Sequence, residues 1–337
     1  MTAGRAVPVT AASSRAPLAL ICGLDHRGIR EEEAVFKAAR VEWRRVVVRG
    51  EDDYLRECGA ADALLVQYGA LTRRVFEGLP RLRVVVRYGV GVDGIDLAAA
   101  SDCGVPVVNV PDYGTDEVAS HAVAILLALT RKIVRLDRQT RAGGWNVFHV
   151  GPIHRLAGRT VGILGCGRIG GSVARKLAGF DVRVLGTDPY VPAFPPAVQP
   201  VPFERLLDES DYLTLHCPLT EETRHLVDAR ALARMRPTAV LVNTARGGIV
   251  DTDALIDALR TGGLAGAGLD VLEDEPLAST SPLHQMEQVI ITPHAAWYSE
   301  EARSDLKRRV AEEAVRVLQG GRPRHCVNPD AFARTRR

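Results

Sequence analysis

From Leu18 onward the chain alternates short apolar, β-branched runs with longer stretches whose apolar residues recur every three to four positions. The first pattern suits a strand covered on both faces and the second an amphipathic helix, so their alternation predicts β/α units around parallel sheets. In the first third, strands are predicted at residues 18–22, 45–48, 63–67, 82–87 and 107–109. Residues 116–141 read as one long helix, rich in Ala and Leu and free of Gly and Pro until Gly143. After the turn residues Gly151 and Pro152, a second series gives strands at 160–164, 182–187, 212–216, 239–243, 267–271 and 289–292. Six strands with helices between them match a doubly wound dinucleotide-binding sheet. The segment VPAFPPAVQP, residues 191–200, reads as a surface loop, and residues 300–319 as a second long helix stopped by Gly320 and Gly321.

Composition narrows the class. The chain has 337 residues, 46% hydrophobic and 25% charged, enough for about two domains and unlike a disordered or collagenous polypeptide. Lys+Arg of 43 against Asp+Glu of 41 leaves a formal charge of +2, which gives no electrostatic case for nucleic acid or an anionic membrane. The longest apolar stretch, residues 122–129, is far below the ~20 residues a bilayer crossing needs. The first sixteen residues lack the apolar centre of a signal peptide and read as a loose tail, as do residues 331–337. The six cysteines, Cys22, Cys58, Cys103, Cys166, Cys217 and Cys326, lie far apart with no C-x-x-C pair. Neither a metal site nor a disulfide framework is therefore expected, and a reducing cytoplasm fits best.

Candidate chemistry clusters in the second series. TVGILGCGRIGGSVARKL carries G-x-G-x-x-G at Gly165, Gly167 and Gly170, directly after a predicted strand and opening a helix. The glycines permit a tight turn, close approach of a pyrophosphate and close strand–helix packing, while the helix N-terminus attracts the phosphates. Asp188 ends the next predicted strand, where an acid can bind the adenosine ribose and repel a 2′-phosphate, favouring NAD over NADP. His216, Arg246, Asp270, Glu275 and His294 each fall at or just beyond the carboxyl end of a different predicted strand, the edge where open α/β sheets bind ligands. Taken singly, Arg246 could cap a helix or pair with Asp251 or Asp253, Glu275 could be a loop acid, and His294 a turn histidine. Together on one edge, an Arg that binds oxygen anions, a His that exchanges protons near neutral pH and an acid that orients it suit reduction of a 2-oxo acid.

The motifs RYGVGVDGIDL, EVASHAVAILLALTR, GILGCGRIG, HCPLT, NTARGGIVD, GLDVLEDEP and TPHAAW, spread over roughly residues 60–328, resemble the D-isomer-specific 2-hydroxyacid dehydrogenase family. TPHAAWYSE followed by CVN is most similar to its C-terminal-binding protein branch, whose members are NAD(H)-binding co-regulators that retain a dehydrogenase site. The resemblance implies two doubly wound parallel-sheet domains. One is a flavodoxin-like substrate domain, residues 17–113 and 297–330, and the other is a Rossmann NAD domain, residues 114–296, inserted in it. It implies His294 as proton donor, Glu275 as its orienting carboxylate and Arg246 as the substrate guanidinium. Val90 and Gly91 would receive the substrate carboxylate on their amides, with Arg87 and Trp297 also approaching substrate. The cofactor contacts implied are Gly165, Gly167, Arg168, Ile169, Gly170, Asp188, His216, Cys217, Pro218, Thr244, Ala245, Arg246, Asp270 and His294, with Asp270 near the nicotinamide amide. A homodimer formed mainly by the NAD domain is also implied. One departure matters: the family's D-N-I-D reads DGID, with Gly94 in place of Asn; within the family, the presence of Glu275 argues against a formate dehydrogenase. The alternative activity is a binding protein that senses NAD(H); no regulatory tail beyond the core and no docking segment at the N-terminus favour it, so an enzyme is expected.

Overall fold

The computed structural model describes residues 15–23 and 28–334. The chain divides into two compact units, residues 1–113 with 303–337, and residues 114–302. The first division falls at Tyr113/Gly114. The second falls at Ala302/Arg303, inside the helix Glu300–Leu318, later than the expected 296/297.

The first unit is built on five parallel strands, β1 (Leu18–Cys22), β2 (Glu42–Val46), β3 (Ala63–Val66), β4 (Val84–Arg87) and β5 (Val107–Val108), in the order β2-β1-β3-β4-β5. This is the flavodoxin-like order. β1 and β3 are buried along their whole length, which is why they read as continuous apolar runs. β2, sequence EWRRV, is the exposed edge strand and begins before the expected residue 45. Its charges face solvent, as an edge that must not pair with other chains requires, and they hide its start from an apolar pattern.

The CVN motif completes this sheet. Asn328 is buried, accepts a hydrogen bond on Oδ1 from Val107 N at 2.7 Å, and donates Nδ2 to Val105 O at 3.1 Å, while Cys326 bridges Val108. The following residues are not a loose tail: Pro329–Arg334 forms a 3-10 helix and Ala331 is fully buried. Arg15, placed in the N-terminal tail from sequence, donates to Ala60 O and Asp62. Residues 1–14 and 335–337 of the expected tails lie outside the described residues. Lys307, only 2% exposed, pairs with Glu31 at 2.7 Å and Glu32 at 3.4 Å, and Tyr88 Oη donates to Glu32 at 2.9 Å. Burial raises the Glu32 carboxyl despite these partners, and an unpaired Lys307 there would carry a large desolvation cost.

The second unit holds β6 (Thr160–Leu164), β7 (Arg183–Thr187), β8 (Val198–Pro200), β9 (Tyr212–Leu215), β10 (Val240–Asn243), β11 (Gly266–Leu269) and β12 (Val289–Ile291), all parallel, in the order β12-β11-β10-β9-β6-β7-β8. Chain order reverses between β6 and β9, which creates the switch point where such sheets take ligands. The seventh strand corrects the sequence reading: β8 forms from the end of the segment taken for a loop, and as an edge strand it tolerates Pro200.

The single helix expected over 116–141 is two, Thr115–Thr130 and Ile133–Arg141. Lys132 between them is left-handed, φ 53°, with Nζ donating to Val150 O at 2.5 Å. The first helix buries Ala119, Ala122, Val123, Ile125 and Leu126, whereas the second buries no residue, so no packing keeps the two collinear. Among the described residues no helix is long and apolar enough to cross a membrane.

Candidate active site

The glycine loop links β6 to the helix Arg168–Leu177. A Cβ on Gly165 would lie 2.5 Å from Cys217 N and one on Gly170 2.0 Å from Gly165 O, whereas a Cβ on Gly167 would meet nothing within 4 Å. The outer glycines therefore close the turn and the middle one faces open space. No side chain caps this helix, which leaves its first amides available to an anion. Arg168 is exposed on the first turn, and Ile169 packs against the core. Asp188 follows β7; its Oδ2 accepts from Cys166 N at 2.8 Å and its Oδ1 from Tyr190 N and Val191 N. This fixes a partly exposed carboxylate against the loop.

The walls beyond β9 and β10 carry two orphaned polar atoms. His216 Nδ1 and Thr244 Oγ1 are buried with no hydrogen-bond partner in the protein. His216 Nε2 meets Thr214 Oγ1 at 2.9 Å, and burial pushes its imidazole down to about 3, so it is neutral near pH 7. Pro218 is exposed, Ala245 N donates to Asn243 Oδ1 at 3.0 Å, and burial pushes the thiols of Cys166 and Cys217 up to about 12 and about 11. Unreactive thiols, an open middle glycine and unpaired polar atoms along one edge fit a dinucleotide.

Arg246, Glu275 and His294 follow β10, β11 and β12 at this edge. Arg246 begins the 3-10 turn after β10, with Nη1 donating to Ala245 O at 2.6 Å and its own carbonyl accepting from Asn243 Nδ2 at 2.9 Å. Glu275 lies in the loop after β11, where Oε1 accepts from Leu272 N at 3.0 Å. Its Oε2 accepts from His294 Nδ1 at 2.8 Å. Desolvation raises the Glu275 carboxyl, but the hydrogen bonds from His294 and Leu272, with the charges of His294 and Arg246, outweigh it and hold the group below its ordinary value. A Cβ on Gly247 would fall 1.9 Å from Leu272 C, so glycine there is what lets the Glu275 loop approach Arg246.

His294 itself is left-handed, φ 53°, in the turn after β12. Asp270 holds that turn: its carbonyl accepts from His294 N at 2.8 Å, Oδ1 from Ala295 N at 2.8 Å and Thr292 Oγ1 at 2.6 Å, and Oδ2 from Ala296 N at 3.0 Å. The Asp270 side chain is only 1% exposed. Thr292, and His121 behind it, were not singled out from the sequence. Trp297 is half-buried and edge-to-face with Tyr298, ring centroids 5.6 Å apart.

In the first unit, Arg87 ends β4 and its Nη1 donates to Tyr88 O. Val90 is exposed, Gly91 partly so, and Asn109 Nδ2 donates to Val90 O at 2.7 Å, anchoring the loop without using the amides of Val90 and Gly91.

Residues 123–296 match the family model of the D-isomer specific 2-hydroxyacid dehydrogenase NAD binding domain. A glyoxylate reductase of Korarchaeum cryptofilum is 43% identical over 286 residues, covering 82% of this chain and 84% of the relative. The structure of D-2-hydroxyisocaproate dehydrogenase is similar with TM-score 0.80 at 26% identity, covering 92% of this chain and 99% of that one. An NAD-dependent formate dehydrogenase from Staphylococcus aureus, in complex with NAD, is similar with TM-score 0.80 at 31% identity, covering 90% and 96%. None of these three carries the expected placement in the C-terminal-binding protein branch.

Proposed function

The chain belongs to the D-isomer specific 2-hydroxyacid dehydrogenase family, and on that premise we propose that Arg246, Glu275 and His294 carry its NAD-dependent interconversion of 2-oxo and D-2-hydroxy acids. The 2.8 Å bond between Glu275 Oε2 and His294 Nδ1 is the observation that supports it most directly. It fixes the imidazole so that Nε2 carries the exchangeable proton.

When bound beside the substrate, NAD would supply or accept the hydride at C2. In reduction, His294 Nε2 gives its proton to the keto oxygen as the hydroxyl forms, leaving a neutral ring; in oxidation the neutral ring takes the hydroxyl proton back. Arg246 neutralises the oxygen and carboxylate charge, and its fork geometry restricts how the substrate lies. The glycine loop and the amides of the helix Arg168–Leu177 would hold the pyrophosphate. Asp188 would bind the ribose and disfavour a 2′-phosphate. His216 Nδ1 and Thr244 Oγ1 would gain partners from the cofactor, and Arg87, the amides of Val90 and Gly91, and the Trp297 indole would belong to substrate recognition.

The test is direct. Purified protein with NADH and a panel of 2-oxo acids, led by glyoxylate and including bulky and dianionic members, should consume NADH at a rate that depends on the acid. No turnover with any of them would overturn the assignment.

A homodimer belongs to the same proposal. Trp145, 90% exposed, and Phe148, 85% exposed, lie close in sequence to exposed Ile133 and Val147, an apolar set that a second copy would cover. The double substitution W145S/F148S should convert a dimer to monomer in light scattering, and an unchanged mass would count against this surface. The six free thiols fit a reducing compartment such as the cytoplasm.

A further inference from the structure

We infer that His121, on the helix Thr115–Thr130, is a positioning residue for proton transfer: with Thr292 and Asp270 it fixes the left-handed turn that presents His294. The inference rests on His294 being the proton donor. Its starting point is that a histidine at φ 53° occupies backbone space that L side chains rarely adopt, so something must hold it there.

The holding group is the Asp270 carboxylate, which takes the amides of Ala295 and Ala296 on opposite oxygens and so spans the residues after His294. A buried carboxylate can do this only if its own orientation is fixed. Thr292 supplies one constraint, donating its hydroxyl to Oδ1 at 2.6 Å. That hydroxyl has a single proton, and Asp270 has it. The 3.0 Å contact between Thr292 Oγ1 and His121 Nε2 must therefore be a bond donated by the imidazole. Nε2 also stands 3.5 Å from Asp270 Oδ1, so the same N–H faces both acceptors. The chain of bonds runs from His121 through Thr292 to Asp270 and on to the Ala295 and Ala296 amides. Each link is made within the second unit, and His121 reaches Thr292 across most of that unit's sequence.

The donor is what matters in this reading, not the ring. His121→Phe keeps a ring and removes the donor, whereas His121→Gln places an amide N–H at similar reach. For 2-oxo acid reduction, His121→Phe should lower kcat about tenfold while the KM for the acid and the affinity for NADH stay within about twofold, and His121→Gln should recover most of the lost kcat. An independent readout uses no substrate. In NMR of the ¹⁵N-histidine-labelled protein, the His294 Nδ1–H signal, protected by its bond to Glu275, should broaden or vanish in His121→Phe and return in His121→Gln. Should His121→Phe fail to fold, His121→Leu, which also lacks the donor, makes the same comparison with His121→Gln. An unchanged kcat and an unchanged His294 signal in a folded donor-less variant would overturn the inference, as would failure of the Gln variant to rescue. A wild-type protein that turns over no 2-oxo acid yet shows the NMR response would remove the proton-donor reading and leave the positioning role standing.

Discussion

Replacing His294 with asparagine is expected to lower kcat for 2-oxo acid reduction by roughly 10²–10⁴-fold and to leave NADH affinity within about twofold, the range for loss of a positioned general acid. Asparagine is the informative choice because it tolerates the left-handed backbone at φ 53°, so the Asp270-held turn survives while the titrating group does not. Alanine would confound loss of the proton donor with relaxation of the turn. Since the bond to His294 is what ties Glu275 to proton transfer, the double variant E275Q/H294N should lose no more than about twofold beyond H294N alone. Steady-state kinetics with NADH binding followed by fluorescence checks both statements. A kcat within a few-fold of wild type, in protein that still binds NADH, would remove His294 from the reaction.

Much of this site could be read from the sequence because parallel sheets make strand ends visible. Strands such as β6 and β10 are buried end to end, so each apolar run and the polar residue that ends it stand out. Arg246, Glu275 and His294 were legible for that reason, and their shared edge followed from topology alone. What stayed hidden was the direction a side chain takes after it leaves its strand. Asp270 accepts hydrogen bonds from Thr292, Ala295 and Ala296, bonds that no local pattern encodes. His121 was hidden for a related reason. In EVASHAV it reads as one position of an apolar helix, and its partner is 171 residues away in sequence. The fold shows the same division. The break at Lys132 coincides with a bond from its Nζ to Val150 O, a contact that no local pattern encodes. The edge strands β2 and β8 were misplaced because their charges and prolines, suited to a sheet border, are the features that ordinarily mark a loop.

Glu275 is a carboxylate across the working range, because the hydrogen bonds and charges around it outweigh desolvation and hold its carboxyl below the ordinary value. Its 2.8 Å bond to His294 Nδ1 is therefore charge-assisted, and such bonds are about twice as strong as neutral ones. Replacing Glu275 with glutamine keeps an acceptor for the Nδ1 proton and deletes the charge, whereas alanine removes the acceptor as well. In both directions of the reaction kcat/KM should fall by about tenfold in E275Q and by about a hundredfold in E275A, with NADH affinity within about twofold. The same carboxyl sets a sign for stability: because its folded-state value is depressed, the stabilisation it gives is present at neutral pH and is lost as pH falls through that depressed value, a loss that E275Q should not show. The measurements are kcat/KM in each direction and thermal unfolding against pH for wild type and both variants. E275Q at wild-type rates, with an unchanged acid limb of stability, would mean that any acceptor suffices and that the charge of Glu275 plays no part.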